Sequence, residues 1–121
     1  MEISADSPHP GQYVSIHLLQ IADVDRVIHE PARLMIAATL YSVKGADFLY
    51  LQSQTGLTKG NLSSHLAKLE QAGYVEIQKT RRGRIPLTVC RLTAKGRTSF
   101  RKYGIAMQEA LSSSIPTCGG A

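Results

Sequence analysis

Positively charged side chains are concentrated in one segment of this chain. Residues 58–103 contain eleven lysines and arginines but only two acidic residues, Glu70 and Glu76, so the segment carries a net charge of +9. The other 75 residues contain three basic and seven acidic side chains and carry −4. The net charge of the whole chain, +5, hides this polarity. Because ammonium and guanidinium groups bind phosphate, such a segment indicates a polyanionic partner.

The first group of candidate contacts lies on a predicted helix over residues 59 to about 72. Leu62, Leu66 and Leu69 recur at helical spacing, so they must face the core. The Asn61 carboxamide, on the opposite side, offers the donor and the acceptor that the edge of adenine accepts. A helix face that is merely solvated is the alternative. The outward residues are polar or basic and include no acid: Lys59, Asn61, Ser63, Ser64, His65 and Lys68.

Small residues on this helix allow its backbone to approach a partner closely. Ser63 and Ser64 have short side chains, and Gly60 has none. Glycine lowers helix stability, which a purely structural helix has little reason to bear. His65 either contacts a phosphate or a base, or it is a partly buried histidine bonded to the backbone, and both interpretations stay open.

A second basic group consists of Arg81, Arg82 and Arg84 in a predicted four-residue turn. Residues 75–78 alternate between apolar and polar, and residues 85–92 form the return strand of a hairpin. Arginines on such a turn reach the minor groove or the phosphates beside a helix in the major groove. The alternative is a charged turn that blunts a sheet edge.

The sequence does not support catalytic or metal-binding chemistry. Cys90 and Cys118 are 28 residues apart, and neither a paired-cysteine spacing nor HExxH occurs. We predict that Cys90 is a half-buried strand residue, with a bulge or twist nearby that reconciles the two apolar faces of the return strand. We therefore predict no enzymatic activity, no metal and no cofactor. The carboxylates are scattered, and the histidines form no recognisable set: His9, His17, His29 and His65.

Composition and hydropathy indicate one compact domain. The chain has 121 residues, of which 43% are hydrophobic and 19% charged, enough for a core. No apolar run reaches about 18 residues and no signal-peptide pattern appears, so we predict a cytoplasmic protein without a membrane span. We expect a flexible arm over residues 1–12, one domain over 13–111 and a Ser/Pro/Gly-rich flexible tail over 112–121.

Capping residues locate the helices that position the charged groups. Asp47 and Thr58 are good N-caps, and Gly56 between them ends a helix, so two short helices form a helix–turn–helix. Glu30 is a weaker cap for an apolar helix, and Thr93 caps the last helix. The predicted helices cover an N-terminal stretch that begins near Tyr13 and ends before Asp23, and residues 31–41, 48–55, 59–72 and 94 to about 111.

Three stretches within residues 27–103 resemble winged helix–turn–helix regulators of the MarR and ArsR type, most closely the small MarR-like group with one winged-helix domain. The resemblance implies a mainly α fold with a small β-hairpin wing, flanked by N- and C-terminal dimerisation helices. Glu30 departs from the Ser or Asp that the family places before proline. The stretches are Val27-Ile28-His29-Glu30-Pro31-Ala32-Arg33-Leu34, Thr55-Gly56-Leu57-Thr58-Lys59-Gly60-Asn61-Leu62-Ser63-Ser64-His65-Leu66-Ala67-Lys68-Leu69-Glu70-Gln71-Ala72-Gly73-Tyr74-Val75 and Leu92-Thr93-Ala94-Lys95-Gly96-Arg97.

The resemblance implies a sequence-specific transcriptional regulator that binds double-stranded DNA. Its recognition helix, about residues 58–72, would enter the major groove, and its wing, about residues 79–86, would contact the minor groove or the backbone. A winged-helix module for protein–protein interaction and a less specific architectural DNA-binding protein are the alternatives. The predicted DNA contacts are Thr58, Lys59, Gly60, Asn61, Ser63, Ser64, His65, Lys68, Arg81, Arg82 and Arg84.

One winged helix reads only a few base pairs, so we predict a homodimer on a pseudo-palindromic operator. Apolar faces outside the core would pair between protomers, unless they fold onto their own domain. Relatives of this type often sense phenolic compounds, metals or oxidants, and a small-molecule effector is left open. The predicted interface residues are Val14, Leu18, Ile21, Tyr103, Met107 and Leu111.

Overall fold

The architecture combines helices with a small antiparallel sheet. The computed structural model describes Leu19 and residues 21–114. The chain divides into two compact units, one of residues 25–103 and the other of residues 1–24 and 104–121. The elements, in chain order, are α1 (Pro31–Tyr41), β1 (Ala46–Asp47), α2 (Phe48–Thr55), α3 (Lys59–Gln71), β2 (Val75–Arg82), β3 (Ile85–Leu92) and α4 (Ala94–Ser114).

α1 is the central helix of the 25–103 unit, as its apolar composition predicts. Pro31 occupies the first position, where no backbone donor is needed. Glu30 is the N-cap, and its carboxylate accepts a hydrogen bond of 2.8 Å from the Arg33 amide. Ile36 and Leu40 are fully buried because α1 packs against α2, α3 and β3.

The helix–turn–helix forms where the caps predict it. Asp47 accepts a hydrogen bond of 2.8 Å from the Tyr50 amide at the start of α2. Gly56 ends α2 with φ = +70°, a conformation that glycine adopts without strain. The Thr58 hydroxyl accepts a hydrogen bond of 3.1 Å from the Asn61 amide and so begins α3. These local bonds explain why both boundaries could be predicted from the sequence.

The sheet has the strand order β1-β3-β2, with both pairs antiparallel. β1 was not predicted, because a strand of two residues has no periodicity. The sequence predicts a bulge or a twist near Cys90, and the bulge is wrong. The β2–β3 register runs without interruption from Val75 opposite Leu92 to Arg82 opposite Ile85. Cys90 is fully buried rather than half-buried, because it lies on the central strand, opposite both Ala46 and Ile77.

The turn of the hairpin is shorter than the sequence predicts. Only Gly83 and Arg84 lie between the strands, and Gly83 has φ = +63°. Arg81 and Arg82 are therefore the last residues of β2 rather than turn residues. The reason is that a two-residue turn with a left-handed glycine matches the twist of a β-hairpin, so the strands can pair up to the tip.

α4 begins as predicted and continues three residues beyond the predicted end at Leu111. The Thr93 hydroxyl accepts a hydrogen bond of 3.0 Å from the Gly96 amide and caps the helix. Residues 94–103 of α4 belong to the 25–103 unit, and its later residues belong to the other unit. The predicted arm, the interface residues Val14 and Leu18, and residues 115–121 with Cys118 lie outside the described residues.

The described part of the chain contains neither a membrane-spanning helix nor a cluster of metal ligands. None of its helices is long and apolar enough to cross a membrane. None of its His, Cys, Asp and Glu side chains form a group of three that could hold a metal ion.

Candidate nucleic-acid interface

α3 presents one continuous exposed polar face. Leu62, Leu66 and Leu69 are buried on its inner side, as their spacing predicts. The first turn of α3 contains no acidic residue, and the Asn61 carboxamide makes no hydrogen bond to any described residue. The face therefore offers free donors and acceptors. Its exposed members are Thr58, Lys59, Gly60, Asn61, Ser63, Ser64 and Lys68.

His65 is turned toward α1. Its side chain is 19% exposed, and its Nδ1 lies 3.2 Å from Nη1 of Arg33 and 3.9 Å from Oε1 of Glu30. Of the two interpretations from the sequence, the partly buried one describes its position, but its neighbours are side chains of the α1 region rather than backbone groups. A DNA contact through the other ring nitrogen stays a prediction.

Glu30 and Arg33 hold His65 in place through a small polar cluster. Burial acts to raise the pKa of Glu30, but the Arg33 amide and the charges of His65 and Arg33 outweigh it and lower that pKa below its usual value. Arg33 is itself held by a hydrogen bond of 2.5 Å from its Nε to the Val27 carbonyl. Because the pKa of Glu30 is lowered in the folded chain, its contribution to stability is present above the ordinary pKa of a glutamate and is lost as the pH falls.

The wing, residues 79–86, carries exposed arginines on both faces of a two-stranded ribbon. Arg81 lies opposite Pro86, and Arg82 lies opposite Ile85. Since neighbouring residues of a strand point to opposite faces, Arg81 and Arg82 place one positive charge on each face of the ribbon. Arg84 adds a third positive charge in the turn. All three arginines are exposed.

A groove of about 380 Å³ separates α3 from the wing. Lys59 and Ser63 line it from α3, and Lys79 lines it from β2. Lys79 is absent from the predicted contacts, although its position could have been found: it has the same strand parity as Val75 and Ile77, so it lies on the face of the hairpin that packs toward the core. Pro86 of the wing and the acidic Asp47 also line the groove, whereas none of Arg81, Arg82 and Arg84 does.

A second concavity, of about 370 Å³, lies on another side of α3, and three of its six lining residues are cationic. Arg26, Arg33 and Lys68 contribute to its wall. Arg26 was not predicted, because it precedes the helix–turn–helix and no local pattern connects it with α3. α3 is thus bordered by positive charge on two sides.

The family follows from a match over most of the folded chain. Residues 32–111 match the family model of the winged helix DNA-binding domain. The chain belongs to this family. The match covers α1, the helix–turn–helix, the hairpin and most of α4, and it confirms the winged-helix prediction.

Similar proteins include regulators with the same winged helix. An uncharacterised protein of Methanocaldococcus jannaschii is 39% identical over 79 residues, which cover 64% of this chain and 85% of the relative. The structure of a transcriptional regulator homologue from Pyrococcus horikoshii OT3 matches with a TM-score of 0.75 and 28% identity, over 81% of this chain and 96% of the other. A regulator assigned to the MarR family, from Enterococcus faecalis V583, shares the fold with a TM-score of 0.65 and 16% identity, over 79% and 83% of the two chains.

Two cations of α4, Arg97 and Arg101, support the fold by hydrogen-bonding to groups at the end of α1. Arg97 is half-buried and donates to the carbonyls of Tyr41 and Val43 at 3.0 and 2.9 Å, at the end of α1. Arg101 is exposed but donates to the Tyr41 hydroxyl at 3.2 Å. Such contacts are invisible in the sequence because they join residues more than fifty positions apart.

Two other cations of the basic segment also have partners. Lys95 donates to the Ala72 carbonyl at 3.1 Å, and Arg91 pairs with Glu76 at 3.5 Å. By contrast, several cations make no ion pair with a described residue. Lys102 on α4 is one of them, and six others lie on α3 and the wing: Lys59, Lys68, Lys79, Arg81, Arg82 and Arg84.

The predicted interface residues lie in different surroundings. In the 25–103 unit, Tyr103 is buried, and its hydroxyl lies 2.8 Å from Nδ1 of His29 of the same chain. In the other unit, Ile21 and Met107 are half-buried, whereas Leu111 is exposed. Pairing of these residues with a second protomer stays a prediction.

Proposed function

We propose that this winged-helix protein is a sequence-specific transcriptional regulator that places α3 in the major groove of double-stranded DNA and its wing on the minor groove or the backbone. The observation that carries the proposal is the exposed face of α3 over residues 58–68, which contains no acidic residue and borders a groove whose other wall includes Lys79 and Pro86 of the wing. A helix in the major groove meets base edges with its N-terminal side chains, and Asn61 stands there with an unused carboxamide.

The unpaired cations support contacts to the sugar–phosphate backbone on both sides of α3. Lys59 and Lys79 face the groove toward the wing, and Arg26 and Lys68 line the opposite concavity. A helix in the major groove is flanked by two phosphate backbones, so this arrangement matches the shape of a duplex. The absence of acidic residues from positions 58–68 of α3 disfavours the alternative of a protein–protein module. Because DNA is the proposed partner, we place the protein in the cytoplasm.

The proposal includes a homodimer on a pseudo-palindromic operator. A two-fold axis in the protein repeats α3 about one turn of the duplex away, which raises affinity and specificity together. Leu19 and Leu111, both in the unit of residues 1–24 and 104–121, expose apolar side chains that a second copy would cover. We assign no catalytic role to any residue, and a small-molecule effector remains unassigned.

Selection of bound duplexes from a random pool tests sequence specificity directly. A specific regulator enriches a two-fold symmetric motif, whereas a general architectural protein enriches none and binds all duplexes with a steep salt dependence. Recovery of no motif, together with equal affinity for scrambled duplexes, would contradict the proposal.

Asn61→Ala tests the placement of α3. On the selected duplex we expect the variant to lose roughly 1–3 kcal/mol of binding free energy and to relax the preference at one base position in each half-site. Gln108→Ala, which removes an exposed carboxamide from α4, is the matched control and should bind like the wild type. If Asn61→Ala keeps the full base preference, α3 does not read the groove as proposed.

A further inference from the structure

The tip of the wing exposes an apolar side chain among arginines. Ile85 is 65% exposed, although it is the first residue of β3 and pairs with Arg82 across the hairpin. Pro86 follows it, is also exposed, and lies opposite Arg81. Arg84 precedes it in the turn. An isoleucine and a proline therefore stand at the end of the ribbon with a guanidinium group on each side.

Folding does not explain the isoleucine at this position. The core residues supplied by the hairpin are Val75, Cys90 and Leu92, at the other end of the ribbon. A threonine would serve strand propensity equally well at an exposed site, without exposing apolar surface. Single exposed apolar residues are common on proteins, so exposure alone indicates no function. What sets Ile85 apart is the charge around it.

The surrounding charge specifies the kind of partner. No acidic residue occurs in the sequence between Glu76 and Glu109, so nothing on the hairpin beyond Glu76 offsets the arginines. An apolar protein surface could cover Ile85 only by burying these guanidinium groups, which is costly without matched acids. The minor groove of DNA accepts both kinds of side chain: arginines bind its walls, and apolar wedges of Ile, Leu, Phe, Met or Pro enter between base pairs.

We propose that Ile85, supported by Pro86, is a wedge that enters the minor groove between two base pairs and kinks the operator. This inference rests on the proposed function and deepens it. Arg82 and Arg84 bind the flanking backbone and hold the tip against the duplex. Pro86 restricts the backbone next to the wedge, because its ring fixes φ. The kink adds specificity at a base step that no hydrogen bond reads, since pyrimidine–purine steps deform most easily.

The bend of the bound duplex tests the wedge. The probe is the duplex recovered by selection, with a donor and an acceptor dye at its ends, and 2-aminopurine at successive positions beneath the wing. Wild-type protein should raise the energy transfer between the ends, as a kink of roughly 20–90° requires, and should raise 2-aminopurine fluorescence at one step, where stacking is lost.

Substitutions at Ile85 and Arg84 distinguish the effect of the apolar wedge on the bend from the effect of the arginines on the salt dependence of binding. Ile85→Thr should lose roughly half or more of both signals at saturating protein, with an unchanged salt dependence of binding, and Ile85→Leu should keep both signals. Arg84→Ala should show the reverse, a weaker salt dependence with the bend retained at saturation. Met35→Thr, which replaces an exposed apolar residue on α1, is the control and should match the wild type.

Two results would overturn the wedge while leaving the proposed function intact. One is wild-type binding to the selected duplex without any bend, and the other is a full bend with Ile85→Thr. Failure of the wild type to bind any duplex is a different result, because it removes the proposed function itself. Circular dichroism of Ile85→Thr shows whether it folds, and loss of the bend in Ile85→Leu as well would count against a wedge.

Discussion

At the residue scale, the junction between α3, β2 and α4 depends on a close backbone approach. A Cβ atom at Gly96 would lie 2.2 Å from the Tyr74 carbonyl oxygen, well inside van der Waals contact. The same carbonyl accepts a hydrogen bond of 3.0 Å from the Thr93 amide, and the Thr93 hydroxyl donates to the Gly73 carbonyl at 2.7 Å. The first turn of α4 therefore lies directly against the segment that follows α3, and no side chain fits at Gly96.

Gly96→Ala should destabilise the protein although alanine is the better helix former. The gain of about 1 kcal/mol in helix propensity is outweighed by overpacking, which typically costs about 1–3 kcal/mol, and here the obstacle is backbone that cannot rotate away. Gly104→Ala in the same helix is the matched control, because a Cβ there meets nothing within 4 Å and should stabilise the helix. Urea unfolding measures both. Equal stabilisation by the two substitutions would show that the approach of α4 to Tyr74 is not tight.

Local chemistry made some residues predictable and left others hidden. The caps Asp47, Thr58 and Thr93 could be assigned because each bonds an amide three residues ahead. The role of Gly96 could not be predicted, because its contact with Tyr74 is a tertiary one. The orientation of His65 toward Arg33 was open for the same reason: 32 positions separate the two residues, and no pattern connects them.

At the element scale, α3 and the wing differ in what they contribute to binding. α3 presents short polar side chains that suit base edges, whereas the wing presents arginines on both faces of a ribbon. Base contacts carry sequence information, and phosphate contacts carry affinity that depends on salt. Substitutions in the wing should therefore change the salt dependence of DNA binding more than substitutions in α3 do.

Arg82→Ala combined with Arg84→Ala should weaken binding to every duplex, specific or scrambled. The slope of log K against log salt should become shallower by about 0.9 for each phosphate that the variant no longer neutralises, hence by roughly 1–2 for the pair. Lys44→Ala combined with Lys102→Ala removes the same charge from exposed sites outside α3 and the wing, and should change the slope less. Fluorescence titration across a salt series gives the slopes. Equal effects of the two double variants would mean that net charge, rather than the wing, attracts DNA.

The elements were predictable to the extent that they carry a period or a cap. Leu62, Leu66 and Leu69 placed the inner face of α3, and the alternation at Val75 and Ile77 placed β2. The two-residue strand β1 carries neither signal, and it forms only because β3 offers a free edge at Cys90 and Val89. The tightness of the turn at Gly83 depends on how far the two strands pair, which the sequence of the turn alone does not determine.

At the scale of the whole molecule, the proposed dimer depends on one stripe of α4. Met107 and Leu111 follow one another at helical spacing, and Leu111 is 47% exposed. Ile105 is even more exposed, at 56%, but two residues correspond to about 200° around a helix, so it lies off this stripe. Leu111 is thus the candidate interface residue, and Ile105 is its control on the same helix.

Leu111→Asp should shift the protein from dimer to monomer at micromolar concentration, because a carboxylate would be buried without a partner in the interface. Ile105→Asp introduces the same charge off the stripe and should leave the mass unchanged. Light scattering coupled to size exclusion measures the mass of each. A dimeric Leu111→Asp would place the interface elsewhere, and a monomeric Ile105→Asp would mean that added charge alone is enough to separate the protomers.

The burial of Cys90 makes its thiol a reporter of how the sheet opens. Burial, with a smaller effect from the charge of Glu70, raises the pKa of Cys90 from 9.0 to about 11, so the folded chain keeps this proton at a pH where the unfolded chain loses it. Folding stability therefore declines as the pH rises through that range. Alkylating reagents attack the thiolate, and β1 and β2 flank the strand that carries it, so labelling at neutral pH requires separation of the strands. Because Cys118 is a second thiol, the labelling rate of Cys90 must be read from the peptide that contains it, and that rate then measures the opening of the hairpin.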